Sequence, residues 1–420
     1  MKDLAVFLSG RRVGTITQAA GLRFRYDEEY RAADDPTPLS LSMPLSEAEH
    51  GNRVTLAWVN GLLPADREVR ARIAERGGVR AANPAALLTV IGLDCPGAVQ
   101  VVPVDRVEEI HRPAALAPVD DEWIGARIAL LRRDEAAWQI ADERWSIGGG
   151  QSKFTLARGF AGEWYDPQGA AASTHIVKPG VPTARLQALN EHASLTVLRA
   201  LGIPAARSEY LEFAGQSALV VERFDRVRRE GDVLRVHAED LCQSLGNQTT
   251  YERYGGPTAR EVVDLLRRHA PGAPERFAEA LAVGYLLGSP DGHARNYSAL
   301  LAGGRVALAP LYDVASSLPY EIAGVGVMHQ RKVALAIGGE RTFGLVGVDQ
   351  WQRFLTANSL DVEWGLGRVR ELAEQLPDAL ASTFDALAHL PGADELRPRY
   401  VDGVAWSCGR TLDLLEQAGR

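Results

Sequence analysis

The chain has 420 residues, 46% of them hydrophobic and 24% charged, with a formal net charge of -8. That length exceeds what a single hydrophobic core organises, so two or three domains are expected. The acidic balance excludes a general attraction to nucleic-acid backbones, leaving Arg67, Arg70, Arg72, Arg76 and Arg80 as a local basic group. Cys95, Cys242 and Cys408 are scattered and form no Cys-x-x-Cys pair, which argues against a disulfide framework or a zinc site and suits a reducing compartment. Every apolar run falls far short of the roughly 20 residues of a membrane span. Met1-Lys2-Asp3 and the short run Leu4 to Leu8 do not read as a secretion signal, so a soluble, cytoplasmic protein without a membrane partner is expected.

In chain order, Leu4 to Leu8, Arg12 to Thr17 and Leu22 to Tyr26 read as strands of a small antiparallel sheet, separated by Ser-Gly and Ala-Gly turns. Helical patterns follow over Val54 to Leu63 and Asp66 to Arg76, and the Pro-rich stretch His111 to Val119 reads as a linker. Glu122 to Leu131 is a helix, and Ser146 to Phe224 alternates in short strands around one helix, Ala184 to Leu201, with Thr183 as its cap. Beyond Val236 the amphipathic periods at Glu261 to His269, Glu275 to Leu287, Val362 to Leu376 and Gly403 to Gln417 indicate a helical lobe. The expected organisation is therefore α+β. A β-rich domain over 1–115 precedes a β-rich lobe over 116–235 and a helical lobe over 236–420.

The segment Gly288-Ser289-Pro290-Asp291-Gly292-His293-Ala294-Arg295-Asn296 carries the sharpest chemical signal. Pro290 and Gly292 make Asp291 a loop residue, and its five-residue offset from Asn296 is that of a kinase catalytic loop, where the aspartate takes a hydroxyl proton and the asparagine holds magnesium. An alternating hairpin, Tyr297 to Leu301 and Arg305 to Ala309 around Gly303-Gly304, then returns Leu311-Tyr312-Asp313, a second oxygen ligand of the kind magnesium prefers. Taken singly, Asp291 and Asn296 are ordinary turn formers. His293, between them, reads as an orienting or phosphate-touching residue or a structural hydrogen-bonding one.

Upstream, Ser146-Ile147-Gly148-Gly149-Gly150-Gln151-Ser152-Lys153 has glycines that let backbone N–H groups approach phosphate, but a strand-like Phe154-Thr155-Leu156-Ala157 follows in place of a Walker helix. A hairpin over the phosphates fits better, with a plain tight turn as the alternative. Thr174 to Lys178 is a strand ending in a lysine that could bridge phosphates, and Glu191 shares a helical stripe with Leu195 and Leu198 from which it could pair with Lys178. Ala218 to Arg226 reads as a buried strand turning charged at its end, either a hinge at the adenine edge or an ordinary core strand. The order of these elements is that of a kinase.

With these residues the chain resembles the HipA family of bacterial toxin kinases. The likeness is carried by Val6-Phe7-Leu8-Ser9-Gly10, Leu39-Ser40-Leu41-Ser42-Met43-Pro44-Leu45, the Gly148 to Lys153 loop, His175 to Pro179, Val221 to Arg226, Asp291 to Asn296 and Leu311-Tyr312-Asp313. The resemblance implies a two-lobed protein-kinase-like fold behind a small β-rich N-terminal domain, with ATP and Mg2+ as cofactors. It implies Asp291 as base, Asn296 and Asp313 as metal ligands, and Lys178 as the phosphate lysine. Nucleotide contacts would come from Gly148, Gly149, Gly150, Gln151, Ser152, Lys153, Glu222, Arg223, Phe224, His293, Ala294, Arg295, Asn296, Tyr312 and Asp313. Ser146 matches the family's autophosphorylated serine, whose modification ejects the glycine loop. The implied acceptor is an aminoacyl-tRNA synthetase of the glutamyl type. The implied partner is a dimeric helix-turn-helix antitoxin resembling HipB, through which operator DNA would be met. Gly288-Ser289-Pro290-Asp291 stands where the family often has Gly-Asn-x-Asp, and Gly149 where it often has Ala; neither change removes a catalytic group. A small-molecule phosphotransferase and a non-catalytic antitoxin scaffold are the competing expectations.

Overall fold

The computed structural model describes residues 2–139, 143–320 and 331–417. They form two compact units, one of Met1–Pro182, Leu211–Gln248 and Ser298–Val306, the other of Thr183–Tyr210, Thr249–Tyr297 and Ala307–Arg420.

The first unit begins with β1 (Leu4–Leu8), β2 (Arg11–Ala19), β3 (Gly21–Tyr26), β4 (Glu49–His50) and β5 (Val99–Pro103), in the antiparallel order β4-β3-β2-β1-β5. In β3 the buried Leu22, Phe24 and Tyr26 alternate with exposed residues, as one covered sheet face requires, whereas central β1 is buried along its whole length. Helices Asn52–Leu62, Arg67–Gly77 and Pro84–Ile91 belong to the same unit. The second of them starts at Asp66, whose carboxylate accepts the Glu68 and Val69 N–H groups, and stops at Gly78 with φ +61°. Three of its four arginines are engaged locally: Arg70 donates to Pro64 O and Asn60, Arg72 bridges Glu68 and Asp134, and Arg76 reaches Gln139 and Glu143 O.

A second sheet contains β6 (Ala115–Val119), β7 (Phe154–Arg158), β8 (Trp164–Gln168), β9 (His175–Lys178), β10 (Ser208–Phe213) and β11 (Gln216–Glu222), in the order β10-β11-β9-β7-β8-β6. The stretch expected to be a linker is therefore corrected in its second half. Ala115 to Val119 pairs antiparallel with Gln168 to Trp164 as an edge strand, and Pro118 is tolerated there because an edge strand need not donate on its outer side. One hydrophobic core, including Phe24, Trp58, Leu88, Phe154, Val177 and Val220, runs through both sheets of this unit. The hairpin β12 (Arg226–Arg229) and β13 (Asp232–Arg235) follows, and β14 (His237–Asp240) pairs with β15 (Ser298–Ala302), which pairs with β16 (Arg305–Leu308). The β15–β16 turn is the expected Gly303-Gly304. Its two N–H groups donate to Thr37 Oγ1 and Asp35 Oδ1, and an added Cβ at Gly303 would collide with the Asp35 carboxylate.

The second unit is mostly helical, with Gln187–Ala200, Ala259–His269, Ala273–Leu286, Val348–Ala357, Val362–Ala386 and Ala393–Gln417. Thr258 and Glu261 close a reciprocal capping box at the second of these. The long helix Val362–Ala386 packs on Ala393–Gln417, Gln187–Ala200 and Ala273–Leu286. The cap expected at Thr183 is corrected: the helix starts at Gln187, after Leu186 with φ +62°, and no side chain caps it. A short hairpin, β17 (Lys332–Ile337) and β18 (Glu340–Thr342), completes the unit. No helix among the described residues is long and apolar enough to cross a membrane.

Candidate active site

In the first unit the glycine loop rests on the end of helix Asn52–Leu62. The Ser146 hydroxyl donates to Leu62 O at 2.5 Å and its N–H to Asp94 O at 2.9 Å, leaving Ser146 with no exposed surface. Ala65 N–H donates to Gly149 O at 2.9 Å, and Gly149, at φ +98°, forms a bridge with Pro64. The expected hairpin is therefore replaced by a docked loop, because its backbone bonds go to another segment. Two side chains expected at the nucleotide bond to backbone carbonyls. Lys153 Nζ donates to Gly148 O at 2.9 Å and lies 5.1 Å from the Trp138 ring centroid, and Ser152 Oγ donates to Glu135 O.

Lys178 closes β9 between β7 and β11, opposite Leu219, and is buried. Buried too is Glu191 in helix Gln187–Ala200 of the second unit. Ionised groups are buried in this way when they are compensated.

Arg223 needs a correction. Its N–H donates to Thr174 O, and its guanidinium binds Asp94, Asp225, Ser173 Oγ and Cys95 O. Asp94 also accepts from Arg226 at 2.9 Å and Arg235 at 3.2 Å. Burial pushes the Asp94 pKa up, but the three guanidiniums outweigh it and hold the carboxyl well below its ordinary range. The Arg223 side chain is thus a structural brace.

In the second unit, helix Ala273–Leu286 ends in a Schellman motif: Gly288, at φ +65°, donates to Tyr285 O and Ser289 to Gly284 O. This stop, followed by Pro290, releases Asp291 into the loop. There the Asp291 carbonyl accepts His293 N–H at 2.8 Å and Asn296 Nδ2 at 2.7 Å. The Asn296 amide nitrogen thereby ties the two ends of the loop together. The Asp291 carboxylate accepts the Tyr251 hydroxyl at 2.5 Å and lies 3.6 Å from His293 Nε2. Desolvation by the surrounding protein raises the pKa of the half-exposed Asp291 carboxyl, aided by the Asp313 charge and opposed by His293 and Tyr251, while burial lowers that of His293.

Asp313 has φ +59°, a left-handed conformation sparsely used by non-glycine residues and concentrated at functional sites. Around it, Leu311 pairs with Pro204 and Ala206, Tyr312 OH donates to Arg295 O at 2.8 Å, and Ser317 donates to Gly288 O. Asn190 clamps Ser316 through both its amide groups. Gly292, Asn296, Tyr312, Asp313 and Val314 line one recess. Of the expected catalytic-loop residues, the fold thus brings Asp291, His293, Asn296, Tyr312 and Asp313 together, with Arg295 contributing its carbonyl. Tyr251 and Asn190 were not expected. No motif marks Tyr251, 40 residues upstream of Asp291, and Asn190 had only its place beside Glu191.

The donor set suits magnesium. Asp313 offers a carboxylate and Asn296 an amide oxygen, and among the described residues no cluster of three or more His, Cys, Asp or Glu side chains builds a closed cage. Magnesium is held by one or two protein oxygens and keeps waters or phosphate oxygens for the rest.

Two family models match the chain: the HipA N-terminal domain over residues 4–102 and the HipA-like C-terminal domain over residues 145–384. It is 33% identical to the "Putative kinase Y4mE" of Sinorhizobium fredii, over 96% of this chain and 97% of that protein. It is 28% identical to the serine/threonine-protein kinase toxin HipA of Shewanella oneidensis, over 87% and 84%. It shares its fold with a chain of the solved Shewanella oneidensis MR-1 toxin-antitoxin complex of HipA, HipB and its operator DNA, at a TM-score of 0.84 and 24% identity, covering 99% of this chain and 98% of that one. The chain is therefore a member of the HipA family of serine/threonine-protein kinase toxins.

Proposed function

We propose that this kinase uses ATP and Mg2+ to phosphorylate a serine or threonine of an aminoacyl-tRNA synthetase of the glutamyl type, halting translation in the cytoplasm. The observation that supports the reading is that Asn296 donates to the Asp291 carbonyl and lines one recess with Asp313. Asp291 accepts the proton of the acceptor hydroxyl as its oxygen bonds to the γ-phosphorus, the bond to the β-phosphate oxygen breaks, and ADP leaves. Asn296 and Asp313 would hold Mg2+, which when bound neutralises phosphate charge. Lys178 is assigned to the phosphates, Glu191 to the structural ion pair expected with a phosphate lysine, the backbone of Gly148 to Gln151 to the phosphate oxygens, and Glu222 and Phe224 to the adenine edge. Residues 1–115, 116–235 and 236–420 are taken as the N-terminal, nucleotide and catalytic regions.

Ser146 is assigned as an autophosphorylation site. Its burial supports a modification that requires the loop to leave Leu62 and, once made, opposes its return, because a phosphate has no room there. The Shewanella complex supports a HipB-like antitoxin dimer as partner, with operator DNA met through it. The local bonds of Arg70, Arg72 and Arg76 favour that indirect route. The test incubates the protein with labelled ATP and Mg2+ in the presence of glutamyl-tRNA synthetase or, separately, an aminoglycoside. Label on a synthetase serine is expected; label on the small molecule alone would replace this reading with a small-molecule phosphotransferase.

A further inference from the structure

Tyr251 has no assigned role, yet its hydroxyl touches the proposed base. The Asp291 backbone is pinned by His293 and Asn296, but its side chain is more than half exposed and rotates freely about two bonds unless something holds it. The Tyr251 hydroxyl supplies that hold, donating to Oδ1 at 2.5 Å. Tyr251 is itself held: its ring meets that of His293 edge to face at 4.8 Å and 89°, and Arg253 lies 5.0 Å from its centroid. A carboxylate has two oxygens and about four acceptor positions. With Oδ1 directed at Tyr251, Oδ2 remains to receive a proton from the acceptor.

We infer that Tyr251 is a positioning residue for phosphoryl transfer: its hydroxyl fixes the Asp291 carboxylate so that Oδ2 faces the acceptor hydroxyl. The inference rests on Asp291 being the base. Tyr251 touches neither nucleotide nor acceptor in this role, so its loss acts on turnover and leaves nucleotide binding intact. A one-ångström misplacement of a base is the kind of change that lowers turnover steeply without altering substrate affinity.

The test compares wild type, Tyr251→Phe, Asp291→Asn and the double variant, with glutamyl-tRNA synthetase and labelled ATP, recording kcat, the KM for ATP and the melting temperature. The phenylalanine keeps the ring contacts with His293 and Arg253. The expected result is a fall in kcat of about tenfold for Tyr251→Phe, an unchanged KM for ATP and melting temperature, and no further loss when it is added to Asp291→Asn. Tyr251→Leu, lacking ring and hydroxyl, loses at least as much kcat. Wild-type kcat in Tyr251→Phe alongside an inactive Asp291→Asn overturns the positioning role and leaves the base assignment standing, and so do losses that simply multiply in the double variant. An Asp291→Asn enzyme as active as wild type, or a wild type that labels no synthetase, overturns the underlying reading instead.

Discussion

Asp94 receives three guanidinium groups in a site nearly without solvent, and this gives the segment around Arg223, just past the end of β11, a stabilising task. Removing one member of a buried ionic group strands the others uncompensated, so Asp94→Ala is expected to cost about 3–5 kcal/mol in chemical denaturation. Because the folded pKa of Asp94 lies below the unfolded value, its contribution is complete above about pH 4 and is lost as the pH falls further toward the folded value. Glu239 has the opposite sign. Burial pushes its pKa up to about 7, against hydrogen bonds from Leu41 N–H and Ser244 Oγ. The folded protein therefore holds a proton that the unfolded chain releases near pH 4. Stability from this group is complete at low pH and falls by up to about 1.4 kcal/mol per pH unit between about pH 5 and 7. Glu239→Gln removes that slope, measured as stability against pH; a wild-type slope in the variant would contradict it.

At the scale of elements, the glycine loop depends on contacts made by the end of a helix more than 80 positions away, Leu62 to Ala65. A Cβ on Gly148 would stand 2.8 Å from Gly61 O, closer than side-chain carbons approach backbone oxygen. Gly148→Ala is expected to lift the loop and raise the KM for ATP several-fold, at a strain of about 1–3 kcal/mol; an unchanged KM would show that the loop position does not govern nucleotide binding. The same contrast between local and distant information decides what was readable beforehand. The three N-terminal strands and the helices around Val54, Asp66, Glu261, Glu275 and Val362 follow from local period and caps, and the structure has them within a few residues apart from longer C-terminal helices. The loop that holds Asp291 and Asn296 and the hairpin that returns the chain to Asp313 were legible because turns and short alternating strands are local too. The docking of Gly149 on Pro64, the edge pairing of Ala115 to Val119, the burial of Arg223 and the Tyr251 bond to Asp291 all join segments far apart in sequence. No period records such pairings.

For the whole molecule, both family models and the full-length relative describe one chain in which an N-terminal HipA domain accompanies a kinase region. The proposed chemistry rests on a few oxygens of the second unit. Its most direct test is the rate of γ-phosphate transfer from ATP to glutamyl-tRNA synthetase across a magnesium titration, for wild type, Asp291→Asn and Asp313→Ala. The account predicts losses of at least about 100-fold for both variants, with some recovery of Asp313→Ala at high magnesium and none of Asp291→Asn. Transfer by Asp291→Asn at the wild-type rate would contradict it.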